Sequence, residues 1–148
     1  MPPINLLFVN NSIVNSIIEK EIIIETVNSI DKQIKNLLNF GCDLTKTKLE
    51  ELDLEVKIEI IQSYIKNLDN IDNETLQICL KNIKIIIEKI SKELKQIEKI
   101  KEEHQIKWFA DYRVPNYENI FINLQKYTNI FNQRIDLLFK IKPTLKEN

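Results

Sequence analysis

The sequence predicts an all-α protein, an antiparallel bundle of three to four long amphipathic helices. Apolar residues recur at intervals of three and four along most of the chain, which is the spacing of one face of an α-helix. Glycine occurs once and proline four times, so residues that interrupt helices are few. A hydrophobic fraction of 43% in 148 residues is enough for one core. We therefore expect a single helical-bundle domain over residues 1–148.

The N-terminal part is predicted to be an arm followed by a helix. Pro2 and Pro3 oppose a regular helix start, so residues 1–11 are expected to dock as an extended arm. The first helix is predicted over residues 12–39, and Gly41 is expected to stop it because glycine accepts the left-handed conformation of a C-terminal cap. Its apolar stripe consists of Ile13, Ile17, Ile23, Val27, Ile30, Ile34 and Leu37.

The second helix is predicted over residues 48–68. Thr47 and Glu50 have the spacing of a capping box, in which two residues satisfy free backbone N–H groups at a helix start. Residues 69–73 are rich in Asp and Asn, whose side chains bond to nearby backbone, so we expect a short turn there and the N-cap of the next helix. The apolar stripe of the second helix consists of Leu49, Leu52, Val56, Ile60, Tyr64 and Leu68.

The third helix, predicted over residues 74–108, carries the clearest pattern. Its apolar residues step alternately by four and three, which is the heptad repeat of a coiled coil. The same register continues to Lys101, His104 and Trp108, giving a helix about 50 Å long at 1.5 Å per residue. A helix of this length needs neighbours alongside it. The heptad positions are Leu76, Leu80, Ile83, Ile87, Ile90, Leu94 and Ile97.

The fourth helix is predicted over residues 116–141, because Pro115 suits a position at a helix start, and the tail from Lys142 is expected to fray. This helix is apolar on two sides. Either it is sandwiched centrally in the bundle or it buries its second side against another protein, and both interpretations stay open. One stripe consists of Tyr117, Phe121, Leu124, Phe131, Ile135 and Leu138, and the other of Ile120, Tyr127, Ile130, Leu137 and Ile141.

A net charge of −1 conceals an asymmetry between the two halves of the chain. Residues 1–74 carry 13 acids against 7 bases, and residues 75–148 carry 9 acids against 14 bases. The halves either complement each other inside the bundle or offer charged patches to partners. The lysines of the third helix are diluted by glutamates, so we expect no nucleic-acid binding. The abundance of Ile, Lys and Asn is typical of an AT-rich genome.

The chain is poor in the residues that catalysis and cofactor binding require. A single glycine excludes glycine-rich phosphate loops, and His104 alone cannot supply a histidine-based triad or a paired Glu-x-x-His metal site. Cys42 and Cys79 have no metal-binding spacing, and reduced thiols fit an intracellular protein of the cytoplasm, with the nucleus as the alternative. No apolar run approaches the roughly 18 residues of a membrane span. We therefore predict no enzyme activity, metal, cofactor or membrane span.

The most distinctive local sequence lies between the third and fourth helices. It brings together Trp108, Phe109, Tyr112 and Arg113, and aromatic and Arg side chains are enriched in binding hot spots. We interpret these residues either as an anchor for a partner protein or as a plug that closes one end of the bundle.

Residues 30–100 resemble the BAG domain, a three-helix module by which cochaperones bind the ATPase domain of Hsp70. The resemblance rests on residues 40–44, on residues 49–57 and on residues 68–72, which are similar to the end of BAG helix one and to the opening and acidic close of helix two. It covers about half of the chain. What it implies is a three-helix fold and promotion of nucleotide exchange on Hsp70.

The resemblance also implies contact residues, and this chain departs from most of them. Asp72 matches the second of two acids that contact Hsp70 in that family, while Gln62 stands at the first. Leu80 stands at the position of the family's Arg, and Glu88 at that of its Gln. Replacing an arginine that pairs with a carboxylate is not a neutral change.

Our hypothesis from the sequence is a non-enzymatic helical subunit for protein–protein interaction or assembly, whose partner is another protein or a second copy of itself. The alternative is a BAG-like cochaperone of Hsp70. The candidate partner-binding residues are Asp72, Trp108, Phe109, Tyr112 and Arg113.

Overall fold

The computed structural model describes residues 4–40, 43–68, 73–107 and 117–146, with side chains described at residues 17–18, 20–39, 45–68, 73–103 and 117–141. These residues form five α-helices and no strand, which confirms the predicted all-α helical fold. The helices are α1 (Ile4–Phe40), α2 (Asp43–Leu52), α3 (Leu54–Lys66), α4 (Glu74–Lys107) and α5 (Glu118–Lys146).

Helices α1 and α3 pack antiparallel. Lys20 Nζ donates a hydrogen bond of 2.8 Å to the carbonyl of Leu68, just beyond the end of α3. Farther along α1, the Asn28 side chain accepts a hydrogen bond from the side chain of Gln62. Residue numbers that rise along α1 therefore meet falling numbers along α3.

Helices α4 and α5 also pack antiparallel. Arg134 Nη1 of α5 donates a hydrogen bond of 2.6 Å to the backbone carbonyl of Asn82 in α4. Seven residues farther along α4, Lys89 Nζ lies 5.8 Å from the ring centre of Tyr127, seven residues back along α5. These two contacts fix the register between the helices.

The two hairpins pack so that helices from different hairpins run parallel. Tyr64 of α3 packs edge to face on Phe139 of α5 with ring centres 5.5 Å apart, and Lys57 lines a groove with Asn132. Residue numbers thus rise together in α3 and α5, and it follows that α1 and α4 also run parallel. In the described part of the chain α1 contacts α3 and α4, and α5 contacts α3 and α4, so α3 and α4 lie on a diagonal of the bundle.

The core confirms the predicted seam of the third helix. All seven heptad positions of α4, from Leu76 to Ile97, are buried, and so is the α1 stripe from Ile23 to Leu37. On α5 the first predicted stripe is buried, apart from the half-buried Phe121. The N-cap of α4 is also as predicted, because Asn73 Oδ1 accepts a 3.1 Å hydrogen bond from the Leu76 N–H.

The predicted extended arm is wrong from Ile4 onward, where α1 already begins. The two prolines restrict the backbone only at their own positions, and no helix-breaking glycine or proline follows them within α1. Within the predicted stripe, Ile17 is 43% exposed. Lys20, three residues farther along, bonds to the carbonyl of Leu68, just beyond the end of α3.

The second predicted helix differs most from the structure. It begins at Asp43, so Thr47 and Glu50 lie inside α2 and do not form the predicted capping box. It is then interrupted at Asp53, whose φ of 51° and ψ of 35° place it in the left-handed region. Lys57 Nζ donates a 3.2 Å hydrogen bond to the carbonyl of Leu52, the last residue of α2.

The interruption changes which residues of α3 face the core. Val56 is 50% exposed and Ile60 is 46% exposed, although both belong to the predicted stripe. A continuous helix would carry the stripe of α2 into these positions, whereas the turn at Asp53 rotates α3 about its axis. The buried residues of α3 are Leu54, Ile58, Ile61 and Ile65.

Helices α4 and α5 end close to, or beyond, the predicted positions. Helix α4 is described to Lys107, and Trp108, its predicted last residue, lies outside the described residues. Helix α5 begins at Glu118 and continues past Pro143 to Lys146, where fraying was predicted. A proline near a helix end lacks only its own backbone N–H donor, and the last turn of a helix can tolerate the loss of that one hydrogen bond.

Candidate protein-binding surface

Among the described residues α5 occupies a corner of the bundle, and its second apolar stripe packs largely against the core. Four of the five residues in that predicted stripe are half-buried, and Leu137 is 54% exposed. The stripe therefore packs largely against the core of its own bundle, and Leu137 is its exposed member. The alternative, burial against another protein, remains a prediction.

Helix α4 extends this exposed apolar surface. Ile78 is 54% exposed and Ile85 is 38% exposed, and they lie one heptad apart on the side of α4 that faces away from the core. On α5, Ile130 and Leu137 are also one heptad apart. We call these four residues, Ile78, Ile85, Ile130 and Leu137, the outer α4–α5 patch.

The register between the helices brings the four residues together. The hydrogen bond between Arg134 and Asn82 puts these two residues at one level. One turn to one side of that level lie Ile78 of α4 and Leu137 of α5. Ile85 of α4 and Ile130 of α5 lie about one turn to the other side of that level. The patch thus has two apolar levels with a cation between them.

The surroundings of the patch are basic. Residues 74–92 of α4 and residues 122–141 of α5 carry seven basic and three acidic side chains. Arg134 donates a hydrogen bond to a backbone carbonyl, and Lys89 lies over the ring of Tyr127. Neither of these two contacts pairs a positive charge with a carboxylate. An apolar patch with a basic rim can bind an apolar partner surface that carries acids.

The opposite side of the bundle carries a group of carboxylates. Asp31 of α1 and Glu55 and Glu59 of α3 have oxygens that all lie within 4.8 Å of one another. Lys35 Nζ donates a 2.8 Å hydrogen bond to Asp31 Oδ2, and this contact raises the pKa of Lys35. Oxygen ligands suit hard cations such as Ca²⁺, but exposed acidic groups are common without one, so the prediction of no metal stays a prediction.

A shallow groove of about 350 Å³ separates α3 from α5. Its walls mix apolar and charged side chains, and the exposed Ile60 forms part of its rim. The groove is lined by Lys57, Ile60, Asn132, Ile135, Asp136 and Phe139.

Buried reactive groups in the described residues are held in their neutral forms. Burial raises the pKa of the Cys79 thiol, which makes the sulfur a poorer nucleophile at neutral pH. Burial also raises the pKa of the half-buried Tyr64. Three buried side-chain oxygens, Asp31 Oδ1, Gln33 Oε1 and Thr128 Oγ1, have no hydrogen-bond partner.

The residues predicted to bind a partner, Asp72, Trp108, Phe109, Tyr112 and Arg113, lie outside the described residues, and their roles stay predictions. The same holds for the side chain of His104.

The other positions compared with the BAG domain are described. Gln62 is half-buried and bonded to Asn28, Leu80 is 1% exposed in the core, and Glu88 is exposed.

Sequence reasoning found the α5 half of the patch and missed the α4 half. The signal that could have found Ile78 and Ile85 is their spacing of seven outside the heptad seam, since a second heptad line on one helix predicts a second contact face. The heptad pattern of the main seam is longer, so the short line of Ile78 and Ile85 is easily overlooked beside it.

Comparison with known proteins finds a viral relative. The chain is 35% identical over 136 residues to a protein of Acanthamoeba polyphaga mimivirus that is described as uncharacterized. The match covers 91% of this chain, and the chain spans 65% of the length of that relative. No protein-family model matches the chain, and no solved structure matches it. The similarity therefore brings no activity to this chain.

Among the described residues, none of the helices combines the length and the apolar character needed to cross a membrane.

Proposed function

We propose that this chain is a non-enzymatic helical interaction subunit, which binds a protein partner through the outer α4–α5 patch. The observation that carries the proposal is the exposed heptad pair Ile78 and Ile85 on α4, with the exposed Leu137 on the adjacent helix α5. Contiguous apolar surface on a folded domain is typical of an interaction site. The aliphatic side chains of the patch suit the apolar face of a partner helix. Such a helix binds in the groove between two helices through residues one turn apart.

The non-enzymatic part of the proposal is supported by the chemistry of the described residues. The thiol of Cys79 is buried and held protonated, and Arg134 and Lys89 contact a carbonyl and a ring. Catalysis usually requires titratable groups whose pKa values are shifted toward neutrality and that face a cleft. The pKa shifts of Cys79 and Tyr64 run the other way.

The proposal is tested by affinity purification from cells that make the protein naturally. The patch variant carries Ile85→Gln and Leu137→Gln, which keep helix propensity and remove the apolar surface. The control variant carries Ile18→Gln and Ile122→Gln, two similarly exposed positions outside the patch. We expect a partner that is recovered with the natural chain and with the control but is lost with the patch variant. Equal recovery with all three chains would contradict the proposal.

The cochaperone activity implied by the BAG resemblance is the second hypothesis. It rests on the resemblance of residues 30–100 alone, since the described helices of this range are not specific to that domain. It predicts that the chain accelerates nucleotide release from the ATPase domain of Hsp70 and that Asp72→Ala removes the acceleration. A release rate that does not change when the chain is added excludes this activity.

A further inference from the structure

We infer that the partner of the outer α4–α5 patch is an acidic amphipathic helix of another protein, which lies along the boundary between α4 and α5. This inference rests on the proposed function, because it names the kind of partner that binds the same patch. It is carried by the order in which cations and apolar side chains follow each other along this boundary, the line on the outer surface where the two helices meet.

The residues that border the α4–α5 boundary are basic or uncharged. Two lines of residues spaced by seven border it on each helix. The lines contain Ile78 and Asn82 on α4, between residues 75 and 92, and Lys126 and Ile130 on α5, between residues 119 and 140. Every residue of these lines is exposed or half-buried. Together they include four lysines and no carboxylate, so this surface attracts a partner of negative charge.

The carboxylates of the two helices lie away from the boundary. Glu74 and Glu88 share a line of α4 on the side of the patch that faces away from α5, and Asp136 lines the groove beside α3. Glu93 is half-buried beyond the end of the patch. Among the described residues no carboxylate forms an ion pair with Arg134 or with the four lysines. Their charges are therefore available to a partner.

Cations and apolar residues alternate along the boundary. The register places Lys140 beyond the apolar level of Leu137, Arg134 between the two apolar levels, and Lys89 and Lys126 beyond the second apolar level. The two apolar levels are seven residues apart on each helix, which is about 10.5 Å at 1.5 Å per residue. The boundary thus presents a repeat of two helical turns with a cation before, between and after its apolar levels.

A helix lying along the boundary matches this repeat. Its residues i and i+7 point to one side and are separated by the same distance of about 10.5 Å, with residue i+3 or i+4 between them. Apolar residues at i and i+7 would contact the two apolar levels, and a carboxylate between them would meet Arg134. One nitrogen of that guanidinium donates to the Asn82 carbonyl, and the remaining donors can bind a carboxylate.

Other partners match the boundary less well. Side chains on one side of an extended strand repeat every two residues, about 6.6 Å, which does not fit the spacing of the apolar levels. Single-stranded nucleic acid binds through aromatic rings on which bases stack, and the residues of the patch are aliphatic. A lipid surface has no repeat of two helical turns. The boundary therefore favours an acidic helix.

The test is selection from a display library of helical peptides of about 20 residues on the immobilised full chain. Acidic, basic, apolar and neutral residues are allowed equally at the varied positions. We expect the selected peptides to carry two apolar residues seven apart with Asp or Glu between and outside them, and to bind more weakly as salt is added. Selected peptides without an acidic surplus, or the failure to select a helical peptide, overturn the inference.

Two charge variants make the test specific. The boundary variant carries Lys126→Glu and Lys140→Glu. Its control carries Lys66→Glu and Lys95→Glu, which change the net charge equally at exposed positions outside the boundary. We expect the Kd of the selected peptides, measured by fluorescence anisotropy, to rise about tenfold or more for the boundary variant and to change little for the control. Equal affinity for the two variants contradicts the inference, provided that circular dichroism shows intact helices.

The outcomes separate this inference from the proposed function. A protein that is lost from the affinity purification with Ile85→Gln and Leu137→Gln, but is recovered with the boundary variant, leaves the proposed function standing and overturns the acidic helix. Self-association of the natural chain that is lost with the same patch variant assigns the patch to a second copy and also overturns it. Vesicles of phosphatidylserine that bind the natural chain but not the boundary variant, when no peptide is selected, assign the surface to anionic lipid instead.

Discussion

Asp53 gives the sharpest test of the structure, because it is the one position between α2 and α3 where the backbone leaves the helical region. Its φ of 51° and ψ of 35° are left-handed, and no other non-glycine residue among those described has a positive φ. Its N–H donates a 3.0 Å hydrogen bond to the carbonyl of Glu50, and its side chain makes no capping bond to α3. A change of side chain at Asp53 should therefore act mainly through the backbone.

The magnitudes follow from this conformation. A left-handed L-residue costs about 1–2 kcal/mol, and Asp lies toward the lower end because it visits this region more readily than most residues. Asp53→Gly removes this cost but adds about 0.5–1 kcal/mol of chain entropy in the unfolded state. We expect stability to stay constant or to rise by up to about 1 kcal/mol. Asp53→Val should lower it by about 1 kcal/mol or more, because β-branched residues fit this region poorly.

Glu51→Gly is the matched control, since Glu51 is exposed and lies in regular helix only two residues away. Glycine there should cost about 1 kcal/mol. The free energy of unfolding is measured by urea denaturation followed by circular dichroism. Equal losses for the two glycine variants would refute the reasoning, because they would mean that Asp53 is helical and that α2 and α3 form one continuous helix.

Three further predictions concern the core and the caps. Thr128→Val should stabilise the fold by about 1 kcal/mol in urea denaturation, because the buried Thr128 hydroxyl has no partner, whereas Thr75→Val at an exposed site should not. Asn73→Ala should cost about 1 kcal/mol in the same assay, because it removes the N-cap of α4, and an unchanged midpoint would contradict this role. Burial raises the pKa of Cys79 above its ordinary value of 9.0, so the thiol should react with a labelling reagent far more slowly in the native than in the unfolded chain. An equal labelling rate in the native and the unfolded chain would show that Cys79 is exposed. Because folding favours the protonated thiol, the contribution of Cys79 to stability is complete below pH 9.0 and is lost as the pH rises through the raised pKa.

The sequence determines the long helices well because their signal is repeated many times. In α4 seven heptad positions agree with one another, so a local ambiguity at any of them cannot change the result. The break at Asp53 depends on one residue, and neither glycine nor proline marks it. The break sets which residues of α3 face the core. Because it was not predicted, Val56 and Ile60 were wrongly predicted to lie on the buried stripe.

The candidate surface was only partly predictable for a related reason. In the sequence, Leu137 looks no different from Leu138, although Leu137 is 54% exposed and Leu138 is fully buried. Whether an apolar stripe is buried depends on which helices lie beside it, and the order α1, α3, α5, α4 around the bundle is a property of packing. The second apolar side of α5 is visible in the sequence, but that Ile78 of α4 lies at the level of Leu137 follows only from the register set by Arg134.

The diagonal placement of α3 and α4 makes the length of their connection decisive for topology. Neighbouring helix axes lie about 8–10 Å apart, so a diagonal crossing spans about 11–14 Å. Six peptide steps lead from Asn67 to Asn73, and at about 3.3 Å per residue they can reach roughly 20 Å. A connection shortened to three steps would reach only about 10 Å, so it could span the diagonal only between residues on the facing sides of the two helices. For any other exit, the second hairpin would have to pack beside α3 in a different bundle or exchange with the hairpin of another molecule, so the length of this connection selects between one fold and a swapped dimer.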